Sequence, residues 1–127
     1  MTKKILNVDD DPMIRTLVKA MLEAEGYEIF SMDSGPKALE WLDSLGDNID
    51  LAFIVLDYMM PEMTGIELLQ KLKQNPKTAS IPVMMVTGED RTEDLLMGLG
   101  VGADLYIMKP FTRNQLVNGT KMLQGIE

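Results

Sequence analysis

Reactive polar residues follow four of the five short apolar runs in this sequence. Asp9 and Asp10 come directly after the first run, and Asp57 follows the third. Thr87 follows the fourth run and Lys109 the fifth. If the runs are parallel strands, these positions share one edge of a sheet, where the ligands of open α/β sheets bind. Scattered surface residues would not fall so regularly, so the pattern predicts a functional site.

The residue types indicate phosphoryl chemistry. Clustered carboxylates raise one another's pKa values unless a cation neutralises them. Mg²⁺ prefers oxygen ligands, keeps some of its waters and recruits phosphate oxygens. One ionised carboxylate could then attack phosphorus and form an aspartyl phosphate without a general base. The Lys109 ammonium and the Thr87 hydroxyl would stabilise the charged phosphoryl oxygens.

The composition excludes several other kinds of chemistry. The chain has no Cys and no His, which excludes disulfides, thiolate nucleophiles, imidazole metal sites and Ser-His-Asp triads. The formal net charge of −8 disfavours unaided binding to nucleic acid or to an anionic membrane, because both require a basic surface. The apolar stretches are too short for a signal peptide or a membrane span. A cytoplasmic protein is therefore expected.

The elements that must position these side chains follow a repeating βα pattern. The third and fourth apolar runs are apolar throughout, which is typical of strands covered on both faces, whereas the mixed second run suits a sheet edge. Right-handed crossovers on a parallel sheet predict a three-layer αβα sandwich. The five runs are Ile5 to Val8, Tyr27 to Met32, Leu51 to Leu56, Pro82 to Val86 and Leu105 to Met108.

Chemical signals mark where the helices begin. Asp11 before Pro12 predicts an N-cap followed by a good first residue, so Asp11 is interpreted as a cap and not as a metal ligand. Capping boxes are predicted at Thr64 to Glu67 and at Thr112 to Gln115. A further helix, the fourth, is expected over residues 93–101. At 127 residues the chain fits one domain, spanning residues 1–127.

Four motifs in order give the chain a resemblance to the response-regulator receiver domains, with the layout of the single-domain chemotaxis regulators. They are VDDDP, LDYMMPEMTG, PVMMVTG and GADLYIMKPF. Each motif alone is a weak signal, but their joint occurrence at these spacings is specific. The resemblance runs from Lys4 to the last helix. It implies a flavodoxin-like, five-stranded parallel sheet in the order 2-1-3-4-5 with five helices.

The resemblance assigns an acceptor and a metal site. Asp57 matches the phosphoacceptor of the family, and Asp9 and Asp10 match its acidic metal pair. The backbone carbonyl of Met59 is the remaining protein ligand implied for Mg²⁺. The side chains of Met59 and Glu89 flank the implied route of the water that attacks the phosphoryl group. Both residues are therefore expected to tune dephosphorylation.

The resemblance also assigns a switch. Thr87 matches the switch hydroxyl, Tyr106 the switch aromatic residue, and Lys109 the ammonium that bridges to the phosphoryl group. The peptide between Lys109 and Pro110 is expected to be cis, as in the family. A complete set of these residues gives no sign of a receiver that has lost phosphorylation.

The implied function is that of a phosphoacceptor in a two-component system, which catalyses only its own phosphorylation and dephosphorylation. The expected phosphodonor is a histidine kinase or a histidine phosphotransfer protein. The expected readout is a target protein that contacts the fourth helix, the fifth strand and the fifth helix, around Tyr106. Direct contact with nucleic acid or a membrane is not expected.

A small phosphohydrolase of the haloacid dehalogenase type is the alternative, because Asp9 to Asp11 contains the D-x-D spacing found after the first strand of those enzymes. Asp9 would then be the nucleophile, which leaves Asp57 without a role. Met13 also stands where those enzymes usually have Thr or Val. A flavodoxin is a third interpretation, but three acids after the first strand would repel a flavin phosphate.

Overall fold

A five-stranded parallel sheet forms the centre of the protein, which a computed structural model describes over residues 2–88 and 102–125. The strand order is β2-β1-β3-β4-β5, which confirms the expected order 2-1-3-4-5 and places the mixed second strand at an edge. The strands are β1 (Lys4–Val8), β2 (Glu28–Met32), β3 (Phe53–Asp57), β4 (Val83–Gly88) and β5 (Leu105–Lys109).

Four helices, and not the expected five, lie within the described residues: α1 (Pro12–Glu23), α2 (Gly35–Ser44), α3 (Gly65–Gln74) and α4 (Arg113–Gln124). The fourth helix of the sequence prediction falls on residues 93–101, which lie outside the described part of the chain. The helix α4 is therefore the fifth helix of that prediction. None of the described helices is long and apolar enough to cross a membrane.

The predicted caps fix where three helices begin. The Asp11 side chain accepts a hydrogen bond of 2.9 Å from the Met13 amide, and Pro12 opens α1. Both predicted capping boxes are present, at Thr64 for α3 and at Thr112 for α4. Since caps satisfy amides that a helix leaves free at its first turn, α1 and α3 begin at defined points, after the loops that follow β1 and β3.

Hydrophobic cores lie on both faces of the sheet, which confirms the three-layer arrangement. One core joins the sheet to α1 and α4 through residues such as Val18 and Leu116, and the other joins it to α2 and α3 through residues such as Ala38 and Leu69. Strand β3 is buried along its whole length. Close packing on both faces leaves such a strand little freedom to move, so Asp57 at its end sits on a rigid support.

Candidate functional site

The carboxyl ends of four neighbouring strands bring the predicted site residues together. Strands β1, β3, β4 and β5 are consecutive in the sheet. Asp9 directly follows β1, Asp57 ends β3, and Lys109 ends β5. Thr87 lies in the last part of β4, beside Met108 in the register of β5. The strand-end pattern of the sequence therefore places these side chains at one edge, as expected, while their chemical roles stay predictions.

Three carboxylates form a compact acidic cluster. One oxygen each of Asp9, Asp10 and Asp57 lies within 4.8 Å of the others. Asp9 and Asp57 are 2% and 5% exposed, whereas Asp10 is exposed at the mouth of the cleft. The carboxylates of Asp9 and Asp57 are thus largely withdrawn from water. A buried carboxylate costs free energy unless another group compensates its charge.

Lys109 contacts two carboxylates of this cluster. Its Nζ lies 2.9 Å from Asp57 Oδ1 and 3.3 Å from Asp9 Oδ2, and donates a hydrogen bond to each. The peptide that joins Lys109 to Pro110 is cis, which confirms the expectation from the family resemblance. The ammonium therefore lies between the buried carboxylates of β1 and β3.

The electrostatics of the cluster leave it short of positive charge. Burial raises the pKa of Asp57 from 3.8 to about 6, although the hydrogen bond from Lys109 acts against the increase. Burial also raises the pKa of Asp9, against the opposing effects of the Asp11 amide and Lys109. Burial by itself would lower the pKa of Lys109, but the hydrogen bond and charge of Asp57 outweigh it and raise that pKa.

The backbone around Asp9 is held on several sides. The Asp9 amide donates to the carbonyl of Met32, at 3.1 Å, and so joins the loop after β1 to the end of β2. Its carboxylate Oδ1 accepts from the Asp11 amide at 2.9 Å. Its carbonyl accepts a hydrogen bond of 2.7 Å from Arg15 Nη1, on α1. The first acid is therefore fixed through its main chain as well as its side chain.

The two switch residues occupy different surroundings. Thr87 is 2% exposed, and its hydroxyl has no hydrogen-bond partner among the residues that the structure describes. Tyr106, in β5, is half-buried and packs against the core that faces α2 and α3. The strand pairing places Tyr106 beside Met85 and Thr87 beside Met108. The switch residues therefore lie on adjacent strands, and only Thr87 is at the edge that carries the acids.

The loop between β3 and α3 forms one wall of the cleft. Met59 is 51% exposed and lines the cleft with Asp10, Asp57 and Lys109. The loop returns close to its own start, because the Gly65 amide donates to the Tyr58 carbonyl at 2.7 Å. Glu89, the other residue expected to tune dephosphorylation, lies outside the described residues.

Two supporting residues were missed by the sequence prediction. Gly65 opens α3, and an added Cβ at this position would collide with the backbone carbonyl oxygen of Asp57. Arg15 was one more basic residue on an amphipathic helix. Only its place one turn after the Asp11 cap, beside the acidic loop, could have indicated a contact with that loop.

The donor set fits a hard divalent cation. Carboxylate oxygens are the ligands that Mg²⁺ prefers, and three of them converge here. The raised pKa of the buried Asp57 indicates that Lys109 does not offset the cluster alone. A bound cation would supply the missing positive charge, with Asp9, Asp10 and Asp57 as its available carboxylates.

A family model and many relatives match this chain. The family model described as "Response regulator receiver domain" matches residues 5–121. The transcriptional regulatory protein CpxR of Escherichia coli (strain K12) is 43% identical over 114 residues, which cover 90% of this chain and 46% of that protein. The phosphate regulon regulatory protein PhoB of Rhizobium meliloti is 34% identical over 124 residues, covering 97% of this chain and 52% of that protein. The chain thus spans about half the length of these relatives.

Solved structures match over nearly the whole chain. A CheY-like response regulator receiver domain protein from Methanospirillum hungatei has a TM-score of 0.87 and 33% identity, and the match covers 98% of this chain and 95% of that one. The chemotaxis protein CheY4 of Vibrio cholerae has a TM-score of 0.87 and 29% identity, with 97% and 99% covered. The similarity therefore extends to a structure of this length as well as to halves of longer regulators.

Proposed function

Since the chain belongs to the response regulator receiver domain family, we propose that Asp57 is the residue that accepts the phosphoryl group. The chain is a phosphoacceptor receiver of two-component signalling. Its family is one of signalling switches rather than of metabolic enzymes. The observation that carries the assignment to Asp57 is its position at the end of β3, beside Asp9 and Asp10 and 2.9 Å from the Lys109 ammonium.

Asp57 would act as the nucleophile. Its carboxylate forms a bond to phosphorus while the bond from phosphorus to the donor group breaks, which yields an aspartyl phosphate. Lys109 orients the carboxylate through Oδ1 and would then hold a phosphoryl oxygen. The buried Thr87 hydroxyl would donate to another. In this way the domain would catalyse its own phosphorylation.

Mg²⁺ is the cofactor that we propose for the acidic cluster. Asp9, Asp10 and Asp57 would hold it through their carboxylates, and Met59 through its backbone carbonyl. When bound, this ion offsets the carboxylate charges and draws phosphoryl oxygens towards the acceptor. The convergence of three carboxylates within 4.8 Å supports this proposal.

The proposed partners follow from the family. A histidine kinase is the expected interaction partner of a receiver domain, and either it or a histidine phosphotransfer protein would donate the phosphoryl group. The output would be a changed contact surface around Tyr106 on β5 and α4, together with the helix predicted over residues 93–101. We propose a cytoplasmic location.

The relatives named as transcriptional regulators bear on the expectation that nucleic acid is not contacted directly. This chain matches about half of their length, so their role in transcription belongs to the whole proteins. For the residues of this chain, the net charge of −8 still disfavours a phosphate backbone. The expectation is therefore kept for this domain alone.

The phosphohydrolase alternative is not supported. The family match places the chain among receivers, and the Asp9 carboxylate is already held by Lys109 and by the Asp11 amide. A nucleophile at Asp9 would also leave the buried Asp57 unexplained.

Labelling with a small phosphodonor tests the assignment. With Mg²⁺ and acetyl phosphate, intact-protein mass spectrometry should detect one added phosphoryl group, and peptide mapping should place it on Asp57. Asp57→Asn should abolish labelling, whereas Asp43→Asn, at an exposed site on α2, should not. Labelling of the Asp57→Asn protein on Asp9 would overturn the assignment and revive the hydrolase.

A further inference from the structure

The Arg15 side chain contacts the end of β1, which Asp9 and Asp10 follow. It donates from Nη1 to the backbone carbonyl of Asp9 over 2.7 Å. The donor is charged and the bond is short, so it is stronger than an ordinary neutral hydrogen bond. Arg15 is half-buried, and its own amide bonds to the Asp11 carbonyl within α1. The phosphoryl chemistry proposed above does not use this guanidinium.

This contact fixes a peptide plane between the two acids. The carbonyl of Asp9 and the amide nitrogen of Asp10 belong to one planar group, so a bond to the first sets the direction in which the chain enters Asp10. The other polar groups of Asp9 are held by Met32, Asp11 and Lys109. Asp10 is exposed, so the direction of its carboxylate depends on its backbone more than on packing.

A positive charge near carboxylates could also act without contact. Arg15 would then only weaken the repulsion within the acidic cluster, and would compete with any cation that binds there. On that explanation, removing the charge should strengthen Mg²⁺ binding. A positioning role predicts the opposite, because carboxylates that are no longer aimed at one point lose affinity.

We propose that Arg15 is a positioning residue, which holds the Asp9–Asp10 peptide so that both carboxylates converge on one cation. The inference rests on the Mg²⁺ site proposed above and adds a residue to its support. Removing an outer residue that orients metal ligands typically lowers metal affinity by 10-fold to 100-fold. Removing one nearby charge alone should raise the affinity by about twofold at moderate salt.

Calorimetric titration with Mg²⁺ shows whether removing Arg15 weakens Mg²⁺ binding, as a positioning role predicts, or strengthens it, as an effect of charge alone predicts. The variant Arg15→Met removes both the contact and the charge. Arg15→Lys keeps the charge and a donor. Lys19→Met is the matched control, because Lys19 is an exposed cation one turn further along α1. In the metal-free proteins, the NMR chemical shift of the Asp10 amide nitrogen reports the peptide whose carbonyl Arg15 contacts, and thermal unfolding reports the fold.

The expected result is an Mg²⁺ affinity about tenfold weaker in Arg15→Met, unchanged or slightly stronger in Lys19→Met, and partly restored in Arg15→Lys. The chemical shift of the Asp10 amide nitrogen should change most in Arg15→Met and little in Lys19→Met. If Arg15→Met fails to fold, an affinity of Arg15→Lys weaker than wild type, at equal charge, supports positioning. Wild-type or tighter affinity in the folded Arg15 variants overturns it.

The two proposals fail in different ways. If wild-type protein binds no Mg²⁺, the metal site itself is wrong, and the role of Arg15 falls with it. If wild-type protein binds Mg²⁺ and is labelled on Asp57, but Arg15→Met binds Mg²⁺ equally well, only the role of Arg15 is wrong.

Discussion

Asp57 combines two properties that oppose each other. A nucleophilic carboxylate must be ionised, yet this one is 5% exposed and lies beside two further acids. Burial raises its pKa to about 6, so at neutral pH the folded protein holds the ionised form at a cost in stability. That cost is a physical reason for the site to bind a cation, because a cation at the cluster stabilises the charged carboxylate.

The variant Asp57→Asn should therefore stabilise the metal-free protein at neutral pH. At about pH 3 and lower, well below the usual pKa of 3.8, the carboxyl is protonated in both the folded and the unfolded chain and contributes no difference. Between its usual pKa of 3.8 and about 6 the unfolded chain ionises first, so the free energy of unfolding falls as the pH rises. Above this range the wild type should be less stable than the variant by about 3 kcal/mol.

Urea unfolding in chelator, followed by the fluorescence of Trp41, measures this difference at pH 4 and pH 7.5. Asp43→Asn serves as the control, because its carboxylate is exposed and should give no comparable gain. Mg²⁺ should narrow the gap between wild type and Asp57→Asn by stabilising the wild type. A variant no more stable than wild type at pH 7.5 would show that the burial of Asp57 is compensated in some other way.

The Thr87 hydroxyl gives a second prediction at this scale. It is buried and has no hydrogen-bond partner within the described residues, so a phosphoryl oxygen near Asp57 would be its first strong acceptor. Thr87→Ala should still be labelled by acetyl phosphate, because the nucleophile and Lys109 remain. However, it should lose the change at Tyr106 that follows activation.

The NMR signals of the Tyr106 ring, with and without beryllofluoride and Mg²⁺, measure this coupling. Thr120→Ala is the control, since Thr120 has a buried hydroxyl that already bonds to the Leu116 carbonyl on α4. It should cost stability and leave the shift at Tyr106 intact. A full Tyr106 shift in Thr87→Ala would exclude the hydroxyl as the link.

Residues of the candidate site could be predicted from the sequence where they follow strands. Residues that support the site through backbone contacts could not. Asp9, Asp57 and Lys109 carry chemistry in their side chains, and their positions at strand ends are visible in the sequence. Arg15 and Gly65 support the site through contacts with main-chain carbonyls. Such contacts depend on how a helix docks, which no periodicity encodes.

At the scale of elements, the loop between β3 and α3 tolerates little change at Gly65. Gly65 leaves no room for a Cβ against the Asp57 carbonyl, and its amide closes the loop on Tyr58. Met59 therefore lies at the cleft in a loop whose two ends are joined by this hydrogen bond. A substitution of the exposed Met59 side chain should therefore change the chemistry at the cleft without changing the loop.

Met59→Asn should shorten the lifetime of the phosphorylated protein. The thioether of Met59 forms only weak hydrogen bonds, whereas an amide both donates and accepts, and so could orient the attacking water. One such hydrogen bond, worth about 1 kcal/mol in the transition state, gives a rate roughly fivefold higher. The decay of the phosphorylated species after removal of acetyl phosphate, followed by intact mass, measures it.

Met122→Asn is the matched control, because Met122 is 69% exposed and lies on α4. Its phosphoryl lifetime should equal that of the wild type. A lifetime of Met59→Asn equal to or longer than that of the wild type would show that this side chain does not control the water.

Strands and helix starts were predictable to within a few residues because local chemistry determines them. The run Leu51 to Leu56 became the buried β3, and the Asp11 cap starts α1. The predicted ends of the strands were less accurate, since hydrogen bonding to a neighbouring strand decides where a strand stops. Strand β4, for example, continues two residues beyond Val86. The helix predicted over residues 93–101 lies outside the described residues, so that prediction stays open.

For the molecule as a whole, the alternation of strands and helices predicted a parallel sheet but not its order. The order came from the family resemblance, because nothing in the apolar periodicity says which strand pairs with which. The net charge was different, since it could be read directly from the composition. The charge of −8 makes the whole domain a source of negative potential, and the acidic cluster sits within it.

This charge predicts that Mg²⁺ affinity depends on ionic strength. The potential of distant carboxylates concentrates cations near the cleft, and salt screens it over about 10 Å at 0.1 M. Raising tetramethylammonium chloride from about 0.02 M to 0.2 M should weaken Mg²⁺ binding by roughly twofold to fivefold. The bulky tetramethylammonium ion limits direct competition for the carboxylates.

The double variant Glu23→Gln, Glu28→Gln removes two exposed charges, at the end of α1 and the start of β2. It should bind Mg²⁺ more weakly than wild type at low salt, and equally well at high salt. If wild-type affinity is the same at both salt concentrations, the three carboxylates of the cluster attract the ion by themselves and the net charge has no part in it.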